Sequence, residues 1–339
     1  MIAALVLLAL LVVSVLGNVG YVLSDIVRVG GRHARAAGPR LEEAVLEDNS
    51  AVSKIAVIEV EGIISQMVER GGHNMVELIK AQLKEAAEDK RVKAVLLKVN
   101  SPGGEVLASD EINRAIADFQ AKHGKPVIAS MGSLAASGGY YVSVPCRWIV
   151  ANELTITGSI GVILSTWNYR GLMDKVGLFP MVFKSGKFKD MLSGSRPPGS
   201  ITEEERRMVQ ALIDEVYAKF KSVVAEGRDR ANKLNGKNGQ KLSADWEEYA
   251  DGRVLSGNEA FKLGFVDERG SFQTAVQRAK IIAGIPEANL VEYRPRYDLA
   301  DLFSLFGQTD AKVVKVDVGL EMPKLQAGQL YFLAPTVLN

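Results

Sequence analysis

Apolar and free of charge over its first 23 positions, the chain then alternates between short β-branched runs and longer stretches with apolar residues every three or four positions. The opening run, MIAALVLLALLVVSVLGNVGYVL, is long enough to cross a hydrocarbon core of about 30 Å as a helix. A cleaved leader has an apolar region of about 7–15 residues behind a basic stretch, so the length predicts a retained transmembrane anchor over 1–23. Residues 24–53 are charged and lack a strong apolar period, which predicts a linker or stalk. From Lys54, KIAVIEVEGII predicts a strand. Val76, Ile79 and Leu83 then form a stripe that predicts a helix over 74–88. A buried strand over 92–99, a helix over 108–121 carrying Ile112, Ile116 and Phe119, and a short strand at Pro126–Ala129 follow. Strands alternating with helices predict an α/β fold with parallel pairing. Thr202-Glu203-Glu204-Glu205 is a capping box opening a long helix, with Met208, Leu212, Val216, Phe220 and Val223 as its stripe. A polar loop over 235–243, a short helix after Gly257 and a helix over 272–283 complete a domain spanning 54–299. Periodicity weakens after that, and 300–339 is expected to be a tail or an assembly arm.

Composition narrows the chemistry. Forty-one basic against 40 acidic residues leave a net charge of +1, so no general field draws nucleic acid to this protein. At 47% hydrophobic and 24% charged, the chain is neither wholly disordered nor a multi-span transporter. A single cysteine, Cys146, excludes an internal disulfide and a Cys-based zinc site, and is expected to be a packed thiol. His33, His73 and His123 stand far apart, so neither a metal nor another cofactor is expected, and catalysis would need a base other than histidine.

Three segments carry candidate chemistry. Ser101-Pro102-Gly103-Gly104 follows a buried strand. It reads either as a turn or as a place where free N–H groups meet a developing negative charge. In Ser133-Leu134-Ala135-Ala136-Ser137-Gly138-Gly139-Tyr140-Tyr141, Ser137 sits among residues without bulk. It reads either as a helix N-cap or as a nucleophile. Lys184-Ser185-Gly186-Lys187-Phe188-Lys189-Asp190 reads either as a basic surface loop or as the source of a lysine base, which must be buried to work near neutral pH.

Taken in order, VNSPGGEVLASDEI, SLAASGGYYVSV, TGSIGVI and KSGKFKDM resemble the signal peptide peptidase A family, the S49 serine peptidases, over about 54–283. GRVLSGNEAFKLGFVDERG resembles the closing motif of the wider Clp-protease and crotonase superfamily. The resemblance implies a fold of repeated β-β-α units behind the anchor. It implies Ser137 as nucleophile, Lys189 as general base, Ser159 as the residue holding that lysine, and the N–H groups of Gly104 and Gly138 as the oxyanion hole. Asp190 is then expected to point away from the Lys189 amine. A single motif set resembles the short form of the family, in which rings of identical subunits place the serine of one protomer against the lysine of its neighbour. The implied substrates are extended peptides, remnant signal peptides among them.

Two other functions compete: a crotonase-like enzyme acting on acyl-CoA thioesters, and a catalytically silent membrane scaffold. The anchor and the intact Ser/Lys set disfavour the first, and intact Ser137 and Lys189 argue against the second. On location two signals conflict. Arg28, Arg32, Arg35 and Arg40 follow the anchor, which by the positive-inside rule leaves the domain in the cytoplasm. The family resemblance implies the outer face of the cytoplasmic membrane, and that is the expectation adopted. Trp148 is expected to line a wall or an interface.

Overall fold

The short apolar runs become one twisted sheet, with the long periodic stretches packed on its faces. The computed structural model describes residues 38–68, 73–296 and 330–334. Apart from Gly38 these belong to one compact unit. The anchor expected over 1–23 lies outside the described residues, and among those no helix is long and apolar enough to cross a membrane.

In chain order the elements are β1 (Leu41–Glu47), β2 (Lys54–Glu61), α1 (Met75–Glu88), β3 (Val92–Ser101), β4 (Gly103–Glu105), α2 (Val106–His123), β5 (Val127–Ala136), α3 (Gly138–Ser143), β6 (Trp148–Ala151) and β7 (Ile156–Gly158). There follow α4 (Arg170–Lys175), α5 (Glu203–Leu234), β8 (Val254–Ser256), α6 (Gly257–Lys262), β9 (Glu268–Arg269), α7 (Phe272–Ala283), β10 (Asn289–Pro295) and β11 (Tyr331–Leu333). The sheet runs β1-β10-β2-β3-β5-β6-β9, and β7 extends it beside the end of β5 and carries β8. From β10 to β9 the pairings along this path are parallel. The α/β class with parallel pairing therefore holds.

Period-two alternation splits the core. Ile55, Val57, Ala94, Leu96 and Ile128 face α7 through Ala275, Val276 and Ala279. Ala56, Ile58, Val95, Leu97 and Ala129 face the other way, onto Val76, Ile79 and Leu83 of α1 and Ile112, Ile116 and Phe119 of α2. Asn74 caps α1 through a reciprocal capping box with Glu77, and Thr202 does the same for α5 with Glu205.

Two stretches depart from expectation. Residues 41–47, expected within the linker, form β1, antiparallel to β10 at the sheet edge. Its charges are compatible with a strand because an edge strand buries little, and its glutamates guard the edge against further pairing. At the other end, 331–333 pair with β4, within the span expected to be a tail.

One buried ion pair locks the far end of α5. Arg228 and Asp267 meet at 2.5 Å with side chains 1% and 0% exposed. The Asp267 carboxylate also accepts from the backbone N–H of Ile149 at 2.9 Å. Asp267→Ala is expected to cost about 3–5 kcal/mol, because it strands a buried guanidinium. Chemical denaturation of the two proteins would check this, and a midpoint shift below about 1 kcal/mol, the range of exposed pairs, would refute it.

Candidate active site

Ser137 stands where β5 turns into α3. Its backbone has φ 55° and ψ −115°, a conformation that non-glycine residues rarely hold and that must be maintained by the surroundings. The surroundings are specific. Its N–H donates to the Gly158 carbonyl at 2.8 Å, and its own carbonyl accepts from the Tyr141 N–H at 2.8 Å. Ser137 stands at the N-cap position of α3, as one interpretation of the sequence offered, but its side chain makes no capping hydrogen bond. Its Oγ is buried and has no hydrogen-bond partner. A buried hydroxyl left unpaired costs about 1–3 kcal/mol, so the fold carries a cost here that serves no structural bond.

Small residues make this turn possible. A Cβ on Gly138 would lie 2.8 Å from Ser109 Oγ and 3.0 Å from Gly104 N, and one on Gly139 would lie 2.7 Å from the Ser101 carbonyl oxygen. The turn that carries Ser137 is thus packed directly on the backbone of Ser101–Gly104. Gly103 holds φ +106°, out of reach of ordinary side chains. Ser101 fixes the loop: its Oγ donates to the Gly62 carbonyl at 2.6 Å and accepts from Gly103 N–H at 3.1 Å. Gly104 and Gly138 are therefore neighbours beside Ser137, as an oxyanion hole requires, and the strand-like pairing of 103–105 replaces the simple turn.

Ser159 is brought to the same place. Register aligns Ala136 with Gly158, so Ser137 and Ser159 directly follow paired residues. Ser159 is 3% exposed, has φ 50°, and its N–H donates to the Arg253 carbonyl at 2.7 Å.

Lys189 is not brought to Ser137 within this chain. It is exposed, in a turn closed by its N–H to the Gly186 carbonyl at 3.5 Å. Since Ser137 Oγ has no partner, no hydrogen bond joins the two. Asp190 does point elsewhere: it pairs with Lys184 at 2.5 Å and Arg196 at 3.5 Å, and among the described residues it makes no ion pair with Lys189. The Lys184 hydrogen bond holds its carboxyl below the usual range. Arg196 in turn grips Glu205, the capping-box residue of α5, at 2.5 Å and holds that carboxyl down at about 2. The lysine-bearing turn is therefore tethered to the start of α5.

The remaining candidates play structural parts. Burial pushes the Cys146 thiol far up, which leaves it unreactive. Trp148 is 4% exposed, donates to Glu268 at 2.9 Å, and lies under the Arg278 guanidinium at 4.3 Å. Among the described residues no group of three or more His, Cys, Asp or Glu side chains is placed to hold a metal. Sequence reasoning missed β11, which abuts Gly103–Gly104. The signal was Leu330-Tyr331-Phe332-Leu333-Ala334, a short apolar run bounded by Gly328 and Pro335.

A parallel α/β sheet that holds a strained, unbonded serine against glycine amides is equipped for acyl transfer through a serine. The model described as Peptidase family S49 matches residues 119–285. A relative from Enterococcus faecium, provisionally named signal peptide peptidase SppA, is 37% identical over 259 residues, covering 75% of this chain and 71% of that one. A provisionally named protease of Synechocystis sp. is 40% identical over 236 residues, covering 70% and 76%. The chloroplastic serine protease SPPA of Arabidopsis thaliana is 34% identical over 273 residues, which span 78% of this chain and 38% of the longer plant protein. The chain belongs to peptidase family S49 and is a serine peptidase.

Proposed function

We propose that this peptidase is a membrane-anchored endopeptidase that cuts extended peptides, remnant signal peptides among them, with Ser137 as nucleophile and Lys189 of a neighbouring protomer as base. The observation that carries it is the Ser137 hydroxyl: buried, unbonded, and held at a positive φ beside Gly104 and Gly138. Ser137 attacks the peptide carbonyl, the amine takes its proton and passes it to the leaving nitrogen, and the two glycine N–H groups receive the oxyanion. Ser159 orients the amine. The β-β-α frame is of the Clp-protease and crotonase kind.

A lysine from a second copy is supported by the stretch of chain that precedes Lys189. Trp167 is 82% exposed, Met181 81% and Phe183 90%, with Phe179 and Leu172 also open. Exposed large apolar side chains concentrated in one stretch of chain favour association, and this stretch, 167–183, leads directly to Lys189. Burial of that segment against another copy would desolvate the amine, the condition under which a lysine serves as base. The names of the relatives support signal peptides as substrates, and the apolar 1–23 run supports the anchor. The family resemblance supports a catalytic domain on the outer side of the cytoplasmic membrane, although Arg28, Arg32, Arg35 and Arg40 argue for the inner side.

A fluorophosphonate, which esterifies activated serines, is expected to add to Ser137 in the assembled protein and not to Ser101, Ser109 or Ser159. Peptide mass mapping reads this directly, and addition at any other serine would overturn the assignment.

A further inference from the structure

Neither helix nor strand stiffens the chain around Lys189, since residues 176–197 contain none. The turn that carries the lysine is closed by Lys184, whose Nζ donates to the Lys187 carbonyl at 3.2 Å and to Asp190 at 2.5 Å. A lysine on such a turn has a defined direction only if the turn is fixed to something rigid. Arg196 makes that link. Its backbone is seated first. Its carbonyl accepts from Asn168 Nδ2 at 2.9 Å, and Gly194 packs so closely on Trp167 that an added Cβ would lie 2.1 Å from the Trp167 carbonyl oxygen. Its guanidinium then forks onto Glu205, Nη1 to one carboxylate oxygen at 2.5 Å and Nη2 to the other at 3.4 Å, while Nη2 also donates to the Ser200 carbonyl at 2.6 Å. Glu205 is itself fixed: it is buried, and its carboxylate accepts from Thr202 N–H at 2.7 Å in the capping box. From this post Arg196 Nη1 reaches back to Asp190 Oδ1 at 3.5 Å, and Asp190 directly follows Lys189 in the chain. One guanidinium therefore ties a carboxylate on the first turn of α5 to a carboxylate beside the base. A planar fork fixes direction as well as charge, which an ammonium at this position would not do. Lys187 also meets Glu204 at 2.5 Å, but both are exposed, and exposed pairs hold little.

We propose that Arg196 is a positioning residue for the general base: gripped by Glu205, it holds Asp190 and so sets the direction in which Lys189 leaves its own protomer for Ser137 of the next. This rests on Lys189 acting as base across that contact. The same grip has a second use. It engages the Asp190 carboxylate elsewhere, so the acid adjoining the base in sequence does not pair with the amine and keep it charged. Arg196 makes no hydrogen bond to Ser137 Oγ, so its loss acts on the rate through Lys189 and leaves ground-state binding of the peptide alone. Misplacing a reacting group by about 1 Å costs about 100-fold, and that is the size of effect expected.

The test uses the assembled full chain. Arg196→Met alone would strand the buried Glu205 carboxylate, so it is combined with Glu205→Gln, which removes the second charge and keeps a side chain able to close the capping box. The double variant is expected to form the same oligomer as the unaltered chain and to lose about 100-fold in kcat for peptide hydrolysis, with KM little changed. If it does not assemble, Arg196→Lys, which keeps the charge and loses the fork, takes its place with the same outcomes. Mixing then shows which side of the contact the defect lies on. Reassembled with an equal amount of Ser137→Ala, the variant is expected to recover activity at about one quarter of sites, because its Ser137 then meets an intact base turn. Reassembled with Lys189→Met, it is expected to recover nothing, since both defects lie on the side that donates the base. A general loss of stability would not produce this asymmetry. Recovery with Lys189→Met and none with Ser137→Ala would overturn the proposal, as would an unchanged kcat in the assembled variant or a raised KM with kcat intact. If Ser137→Ala and Lys189→Met do not complement each other, the base in trans falls, and with it the direction assigned to Arg196.

Discussion

Replacing Ser137 with alanine is expected to lower kcat for peptide hydrolysis about 10,000-fold or more and, at the same time, to raise the unfolding midpoint. The two effects have one origin. In the native turn the Ser137 Oγ is buried without a partner, so it contributes a desolvation cost of about 1–3 kcal/mol and no compensating bond. Alanine keeps the backbone at φ 55°, where the strain remains, but removes that cost. KM should change little, since the hydroxyl adds nothing to ground-state binding. Hydrolysis must be compared at equal oligomer content, and melting in the same buffer. Retained hydrolysis would make Ser137 a structural residue. A lower midpoint would mean that the hydroxyl has a structural partner.

Much of this arrangement was legible in the sequence because the core obeys simple periods. The alternation in KIAVIEVE separates the residues facing α7 from those facing α1 and α2, and Asn74 and Thr202 mark their helix starts by capping chemistry. What escaped detection obeys tertiary context. Residues 41–47 look like a linker because an edge strand buries little, and their partner, β10, lies about 250 positions away. β5 extends through Ala136 rather than ending near Ala129, since Ser130, Gly132 and Ser133 break the apolar pattern around Met131. The stripe on α5 is only half a core: Phe220 is fully buried, whereas Met208 and Leu212 are 37% and 47% exposed. That half of the helix carries an apolar face that is left open among the described residues. Of the five residues that the motif order picks out, the fold brings Ser137, Ser159, Gly104 and Gly138 together and leaves Lys189 exposed and unbonded to Ser137. The positive φ and the missing cap at Ser137 follow from the packing of Gly138 and Gly139 on Ser101–Gly104, and no local pattern encodes them.

Lys189→Met is expected to be as inactive as Ser137→Ala, and mixing the two inactive proteins is expected to restore activity. In the folded chain Lys189 is exposed and unbonded to Ser137, while the segment leading to it is apolar and open. If the amine that serves each Ser137 comes from the next protomer, the contact is head to tail, with different surfaces on its two sides. In rings reassembled from equal amounts of the two variants, a site works when a protomer with intact Ser137 meets a neighbour with intact Lys189. Random order gives this at about one quarter of sites for a closed head-to-tail ring. A dyad within one chain gives a different result, because every site then carries one defect and mixing restores nothing. The experiment needs dissociation and reassembly, followed by a peptide assay and a serine-directed label to count competent sites. Recovery near one quarter would assign the lysine to the neighbour. Absence of recovery in rings shown to be mixed would place the base on the same chain as Ser137. The turn around Gly186–Asp190 would then have to leave its tether to Arg196 and Glu205 before it could act.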